Sequence, residues 1–188
     1  MPESTHARVS LYRSRRELLD RIDTEVLELE GSDSQVSFNA ARRLADLGSR
    51  AATRSLMDVV RRASHDHSKR FALYVLRRLR DKRALAMIAR ILIDRRYSDA
   101  VRDEAAEALS VFVEKGSEKA LAALLLCQHD ESPAVRYSVA YSLGFSKDVS
   151  SRNALRQMLS DDVVPLGGLE SVGSMAKESL AGRQEGER

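Results

Sequence analysis

Residues 130–145 read DESPAVRYSVAYSLGF, and residues 99–109 read DAVRDEAAEAL. Counted from Val135, small or apolar residues stand at Val139, Ala140 and Leu143; the same count from Val101 gives Ala105, Ala106 and Leu109. Val36 opens the series again with Ala40, Ala41 and Leu44, and Ser68 opens it with Ala72, Leu73 and Leu76. The four starts lie 32, 33 and 34 residues apart (68−36, 101−68, 135−101). About twenty residues into each unit comes a second apolar set: Leu56, Val59 and Val60; Leu85, Ile88 and Leu92; Leu121, Leu124 and Leu125; Leu155, Met158 and Leu159. Spacings of three and four make one face of an α-helix, not the alternation of a strand. Gly48-Ser49, Asp81-Lys82, Gly116-Ser117 and Ser146-Lys147-Asp148 separate the paired helices as stops and N-caps. A helix pair this short cannot bury its stripe alone, so the recurrence predicts hairpins stacked around one continuous core.

The 188-residue composition agrees with such a fold. Apolar residues make up 43% and charged residues 31%, with three prolines and nine glycines, which favours helix nearly throughout. No run of about 18 apolar residues is present, so no transmembrane helix is expected. The first sixteen residues show no apolar segment of a signal peptide, and the single cysteine, Cys127, has no partner for an internal disulfide. A reducing, cytoplasmic location is the expectation.

The segment Asp130 to Arg136, continuing to Leu143-Gly144, resembles the HEAT-like repeat of the phycobilisome-lyase type. Asp99 to Arg102 with Ala105, Ala106 and Leu109 is similar; the first unit has Ser37 where the family often has Arg, and the second has Ser68-Lys69 in place of Val-Arg. The resemblance spans roughly residues 33–161. It implies an all-α, right-handed α-solenoid of about four hairpins: residues 33–66, 67–98, 99–130 and 131–161. It also implies that an Asp and an Arg near the first helix tie neighbouring repeats, a role open here to Asp99, Arg102, Asp130 and Arg136. Leu11, Leu18, Ile22, Val26 and Leu29 predict an N-terminal helix over 8–31 that caps the first repeat or docks on a second copy. Residues 162–181 read as a half repeat loosened by Gly167, Gly168 and Gly173, and residues 182–188 as a frayed tail.

Candidate chemistry is sparse. His65-Asp66-His67 lacks a third or fourth ligand in fixed relation, since His6 and His129 lie elsewhere, so no metal is expected. Cys127 and His129 diverge at a helix end, and Cys127 reads as a small hydrophobe. Asp130-Glu131 and Asp161-Asp162 are neighbours at helix boundaries, not carboxylates opposed across a cleft. Gly168 to Ser174 has P-loop glycine spacing with Ser174 where the lysine belongs. The expectation is a chain with no cofactor and no enzymatic activity.

The basic residues carry more information. Arginine supplies 25 of 31, a bias towards planar, bidentate contacts. Two positions before the leading leucine of each second helix stand Arg54, Arg83, Lys119 and Asn153; five positions after it stand Arg61, Arg90, Leu126 and Ser160. If second helices line the concave surface, these form a basic stripe that fades at the fourth repeat. Residues 42–98 hold 16 basic and 5 acidic residues, whereas 103–131 hold seven acids against Lys115 and Lys119, so a molecule polarised along its length is expected. The preferred function is a protein-interaction scaffold, such as an adaptor, assembly factor or toxin-neutralising immunity protein. It would grip an acidic partner through Arg54, Arg61, Arg83, Arg90 and Lys119. Binding of nucleic acid along the same groove is a second reading, weakened by a net charge of only +3, no tryptophan and an acidic third repeat. The resemblance adds a third, bilin attachment to an acceptor protein, for which no bilin-holding residue stands out.

Overall fold

The computed structural model describes residues 5–185, with side chains for 14–182. The end of the expected tail and the side chain of Leu11 lie outside the described residues. The described chain is helical, without a strand. In order come α1 (Thr5–Glu30), α2 (Ser34–Leu47), a 3-10 turn (Arg50–Ala52), α3 (Thr53–Arg62), α4 (Asp66–Leu79), α5 (Lys82–Ile93), α6 (Asp99–Val113), α7 (Glu118–Leu126), α8 (Pro133–Leu143), α9 (Val149–Met158) and α10 (Val172–Glu185).

Local chemistry sets these boundaries. The Asp33 carboxylate accepts the Gln35 and Val36 N–H groups at the start of α2, and Asp81, Ser98, Ser117 and Asp148 cap α5, α6, α7 and α9 in the same way. Gly48 ends α2 with φ +62. At the equivalent end of α4 the left-handed position falls to Arg80, φ +50, and Asp81 begins the next cap at once. This is how the second unit makes its shorter turn.

First helices α2, α4, α6, α8 and α10 pack side by side as one layer, with α6 near its middle. Second helices form the other layer, and α3, α5 and α9 rest mainly on the first helix of the following unit: α4, α6 and α10. Ala40, Ala41, Ala72, Ala105, Ala106 and Ala140 are all buried in the first layer, and small side chains let helix axes approach closely. Leu56, Val60, Ile88, Leu92, Leu124 and Leu155 fill the space between layers, so one apolar cluster runs from Ile22 to Ala176. The stripe of α1 is used within its own chain: Ile22 and Leu29 are buried, Leu18 and Val26 partly so, and the helix packs on α2. Two apolar positions depart from the periodic reading, and the first, Val36 in the opening turn of α2, is 41% exposed. Leu159 is 45% exposed because α9 ends at Met158, which turns the next side chain off the stripe.

Charged side chains stitch successive units. Arg102, 4% exposed, donates through Nε to the Leu92 carbonyl (3.0 Å) and through Nη2 to the Asp130 carboxylate. Its contact with Asp99 on the same helix is longer, 3.5 Å, and Asp99 is largely exposed. Asp130 is itself buried and accepts the Ser132 N–H at 3.0 Å. Arg136 repeats the arrangement one unit on, donating to Asp161 at 2.6 and 3.2 Å and to the Asp130 and Glu131 carbonyls. In the first unit Ser37 occupies this position, and its hydroxyl donates to the Glu28 and Gly31 carbonyls at the end of α1.

Candidate functional site

On the second-helix side, α3 and α5 meet only sparsely, leaving a cleft of about 440 Å³. Met57, Met87 and Ile91 provide apolar lining, and Arg61, Arg83 and Arg90 stand among them. A hollow of about 280 Å³ beside it is lined by Thr53, Arg54, Met57, Arg61 and Arg83. Arg54, Arg61, Arg83 and Arg90 are exposed and converge here from two helices. Lys119, on α7, is exposed and lines neither hollow.

The arginines are held differently. Arg83 donates to the Asp81 carboxylate through Nε (2.9 Å) and Nη2 (2.5 Å), and to the Arg50 carbonyl at 2.7 Å. Asp81 is buried and also accepts the Thr53 hydroxyl at 2.8 Å. The Arg83 hydrogen bonds hold its carboxyl well below the usual carboxylate range despite its burial. Arg61 pairs with Asp58 at 3.0 Å. Among the described residues Arg54 and Arg90 form no ion pair, while the Arg90 charge also acts on Asp94 at the edge of the cleft.

A larger hollow, about 560 Å³, lies on the first-helix side. Buried alanines let the first helices of this layer pack closely side by side. The groove crosses α4, α6, α8 and α10, with Tyr74, Arg78, Glu107, Tyr137, Tyr141 and Phe145 among its lining. Sequence reasoning missed these residues, although a signal existed. Counting two, six and ten positions from the repeat starts gives Phe38, Arg42 and Asp46; Arg70, Tyr74 and Arg78; Asp103, Glu107 and Val111; and Tyr137, Tyr141 and Phe145. Column counting, applied only to second helices, would have found the groove on the first.

The groove is polar as well as aromatic. Arg77 pairs with Glu107 and lies 5.6 Å from the Tyr74 ring centroid, and Arg80 pairs with Glu114 at 3.3 Å. One turn before Glu107 on α6 stand Asp103 and Glu104. Asp103 accepts the Ser138 hydroxyl from α8, and burial pushes its carboxyl up to about 6. Burial, with the Glu107 charge adding to it, pushes the Glu104 carboxyl up to about 7. Glu104 Oε1 and Arg70 Nε are buried without a hydrogen-bond partner among the described residues. Carboxyl groups that titrate near neutrality can take up or release a proton under ordinary conditions.

The remaining sequence candidates have structural surroundings. His65 stacks on His67 with ring centroids 5.2 Å apart, and His67 Nε2 lies 3.1 Å from the Gly31 carbonyl oxygen. Among the described residues no group of three or more His, Cys, Asp or Glu is placed to share a metal ion. Cys127 is buried near the Leu92 carbonyl, and burial raises its thiol. No described helix is long and apolar enough to cross a membrane.

Residues 95–167 match the protein family described as HEAT repeats. No curated protein matches the sequence. Among solved structures, the fold is similar to a chain in the complex of CpcE and CpcF of phycocyanin lyase from Nostoc sp. PCC7120, with a TM-score of 0.71 and 18% identity. The match covers 86% of this chain and 98% of that one. At that identity the likeness speaks for fold. It nonetheless overturns the expectation of no enzymatic activity, because that expectation rested on missing motifs and a structure of this same fold is named for a lyase. The recurring hairpins and the shared architecture show an all-α solenoid fold, and its third and fourth units match HEAT repeats.

Proposed function

We propose that this chain is an interaction scaffold whose α3–α5 cleft receives an acidic segment of a protein partner. The observation that carries the reading is the convergence of Arg54, Arg61, Arg83 and Arg90 around an apolar lining of Met57, Met87 and Ile91. Guanidinium forks suit carboxylates, and methionine adapts to varied apolar side chains, so the cleft fits a peptide that alternates acidic and apolar residues. A stacked solenoid holds such a cleft ready, which lowers the ordering cost of binding. The similar structure is a complex of two proteins, which supports a protein partner. A nucleic-acid track is less well supported, since Arg77, Arg80 and Arg95 are committed to Glu107, Glu114 and Glu131. The test places a photo-crosslinking amino acid at the exposed cleft residue Ala86 and identifies what it captures in native lysate. An acidic protein captured by wild type and lost when the four arginines are changed to Glu is the expected result. Equal capture by both forms overturns the reading.

A second reading is favoured by Asp103 and Glu104, whose carboxyls titrate near neutrality beside a tyrosine-lined groove. Chemistry of the lyase kind would be carried there, on the first-helix side. Incubation with a bilin and phycocyanin apoprotein, read by visible absorbance, tests it. An adduct lost in the Asp103→Asn, Glu104→Gln variant supports this reading, and an unmixed spectrum removes it.

A further inference from the structure

The loop between α9 and α10 carries Leu166 and Leu169, the two most exposed large hydrophobic residues among those described. Their exposure does not come from a loose backbone. The Gly173 N–H donates to the Asp161 carbonyl (2.7 Å) and the Val172 N–H to the Val163 carbonyl (3.1 Å), closing the base of the loop. At the tip the Gly168 N–H donates to the Pro165 carbonyl at 2.9 Å, Gly167 adopts φ +78 and Pro165 is buried. Residues 165–168 therefore form a type II turn that projects Leu166 from its first corner. Asp162 and Glu170 flank the leucines, both exposed and neither in an ion pair among the described residues. Asp161 is already engaged by Arg136.

Such a projection is expensive to leave in water unless something covers it. Its chemistry, two leucines between two carboxylates, complements the α3–α5 cleft, where Met57, Met87 and Ile91 sit among Arg61 and Arg90. The two surfaces lie near opposite ends of the stack and do not meet within one chain. We infer that the 162–170 loop of one copy docks in the α3–α5 cleft of a second copy. Its leucines then lie against the methionines and its carboxylates against Arg61 and Arg90. This names an occupant for the cleft proposed above and rests on that reading. Because donor and acceptor are different surfaces, the contact is heterologous, and copies join head to tail or close into a ring. Both surfaces are preformed, so little ordering cost opposes the contact.

The experiment measures mass by light scattering across a concentration series at low and high salt. Wild type is expected to associate as concentration rises, and less so in high salt. Leu166→Asp (donor-deficient) and Arg61→Glu with Arg90→Glu (acceptor-deficient) are each expected to weaken association by about tenfold or more. All three side chains are exposed, so unchanged circular dichroism melts show that folding is intact. Mixing the two variants pairs the intact cleft of one with the intact loop of the other, and a heterodimer is expected. Wild type that stays monomeric throughout, or variants that remain separate on mixing, overturns the inference. In that case capture of an acidic partner at Ala86 still leaves the scaffold reading standing, whereas loss of both removes the cleft from consideration.

Discussion

Arg102 shows how much a single side chain does in this fold. It is buried, carries a full charge, and is balanced by Asp130 of the next unit and by the Leu92 carbonyl. Changing Asp130 to Ala strands that charge, and breaking such a buried pair costs about 3–5 kcal/mol. A large drop in urea midpoint is expected, with much of it recovered when Arg102→Met is added. Asp103 and Glu104 behave in the opposite sense. Their folded carboxyls titrate at about 6 and about 7, above their ordinary values, so the folded state holds protons that the unfolded chain releases. Their contribution is most favourable below about pH 4 and is lost as pH climbs to 6 and 7. Glu104→Gln is therefore expected to match wild type near pH 4 and to be more stable at pH 8 by about 3 kcal/mol, read from denaturant melts. In the sequence these two acids look like any exposed helix charges. Their burial comes from α4 and α8 closing over α6, which periodicity on one helix cannot report.

At the scale of elements, boundaries were legible wherever a capping side chain or glycine writes them, as at Asp33, Gly48, Ser117 and Asp148. Two places were not. Arg80 ends α4 in the left-handed region, a conformation that costs a non-glycine residue roughly 1 kcal/mol. Arg80→Gly is expected to raise the melting temperature slightly, since the exposed pair it removes with Glu114 is worth little. Leu159 satisfies the apolar period but falls one residue beyond the end of α9, where the period no longer describes direction. The start of α10 is clamped on this same corner. A Cβ at Gly173 would stand 2.5 Å from the Leu159 carbonyl oxygen and 2.9 Å from that of Asp161, both backbone atoms. Gly173→Ala is therefore expected to cost about 1–3 kcal/mol and to speed amide exchange in α10 before the rest of the molecule.

Over the whole molecule, charge is distributed less unevenly than the linear count implies. Arg77, Arg80 and Arg95, in the second unit, reach Glu107, Glu114 and Glu131 about one repeat further on. Three basic side chains of the second unit are thus matched by acids of the units that follow. The last layer also depends on its neighbour, since α10 covers α8 and α9. A chain truncated after Asp162 is expected to bind a hydrophobic dye and to lose cooperativity in urea, as an array without its end cap should. Sequence alone determined the helices, their repeat length and their stacking into one apolar spine, because each follows from local propensity and from spacing along one chain. Only tertiary structure decided which arginines are paired across units and which acids are buried. Those properties are set by distances between residues roughly thirty positions apart, and a linear pattern contains no measure of them.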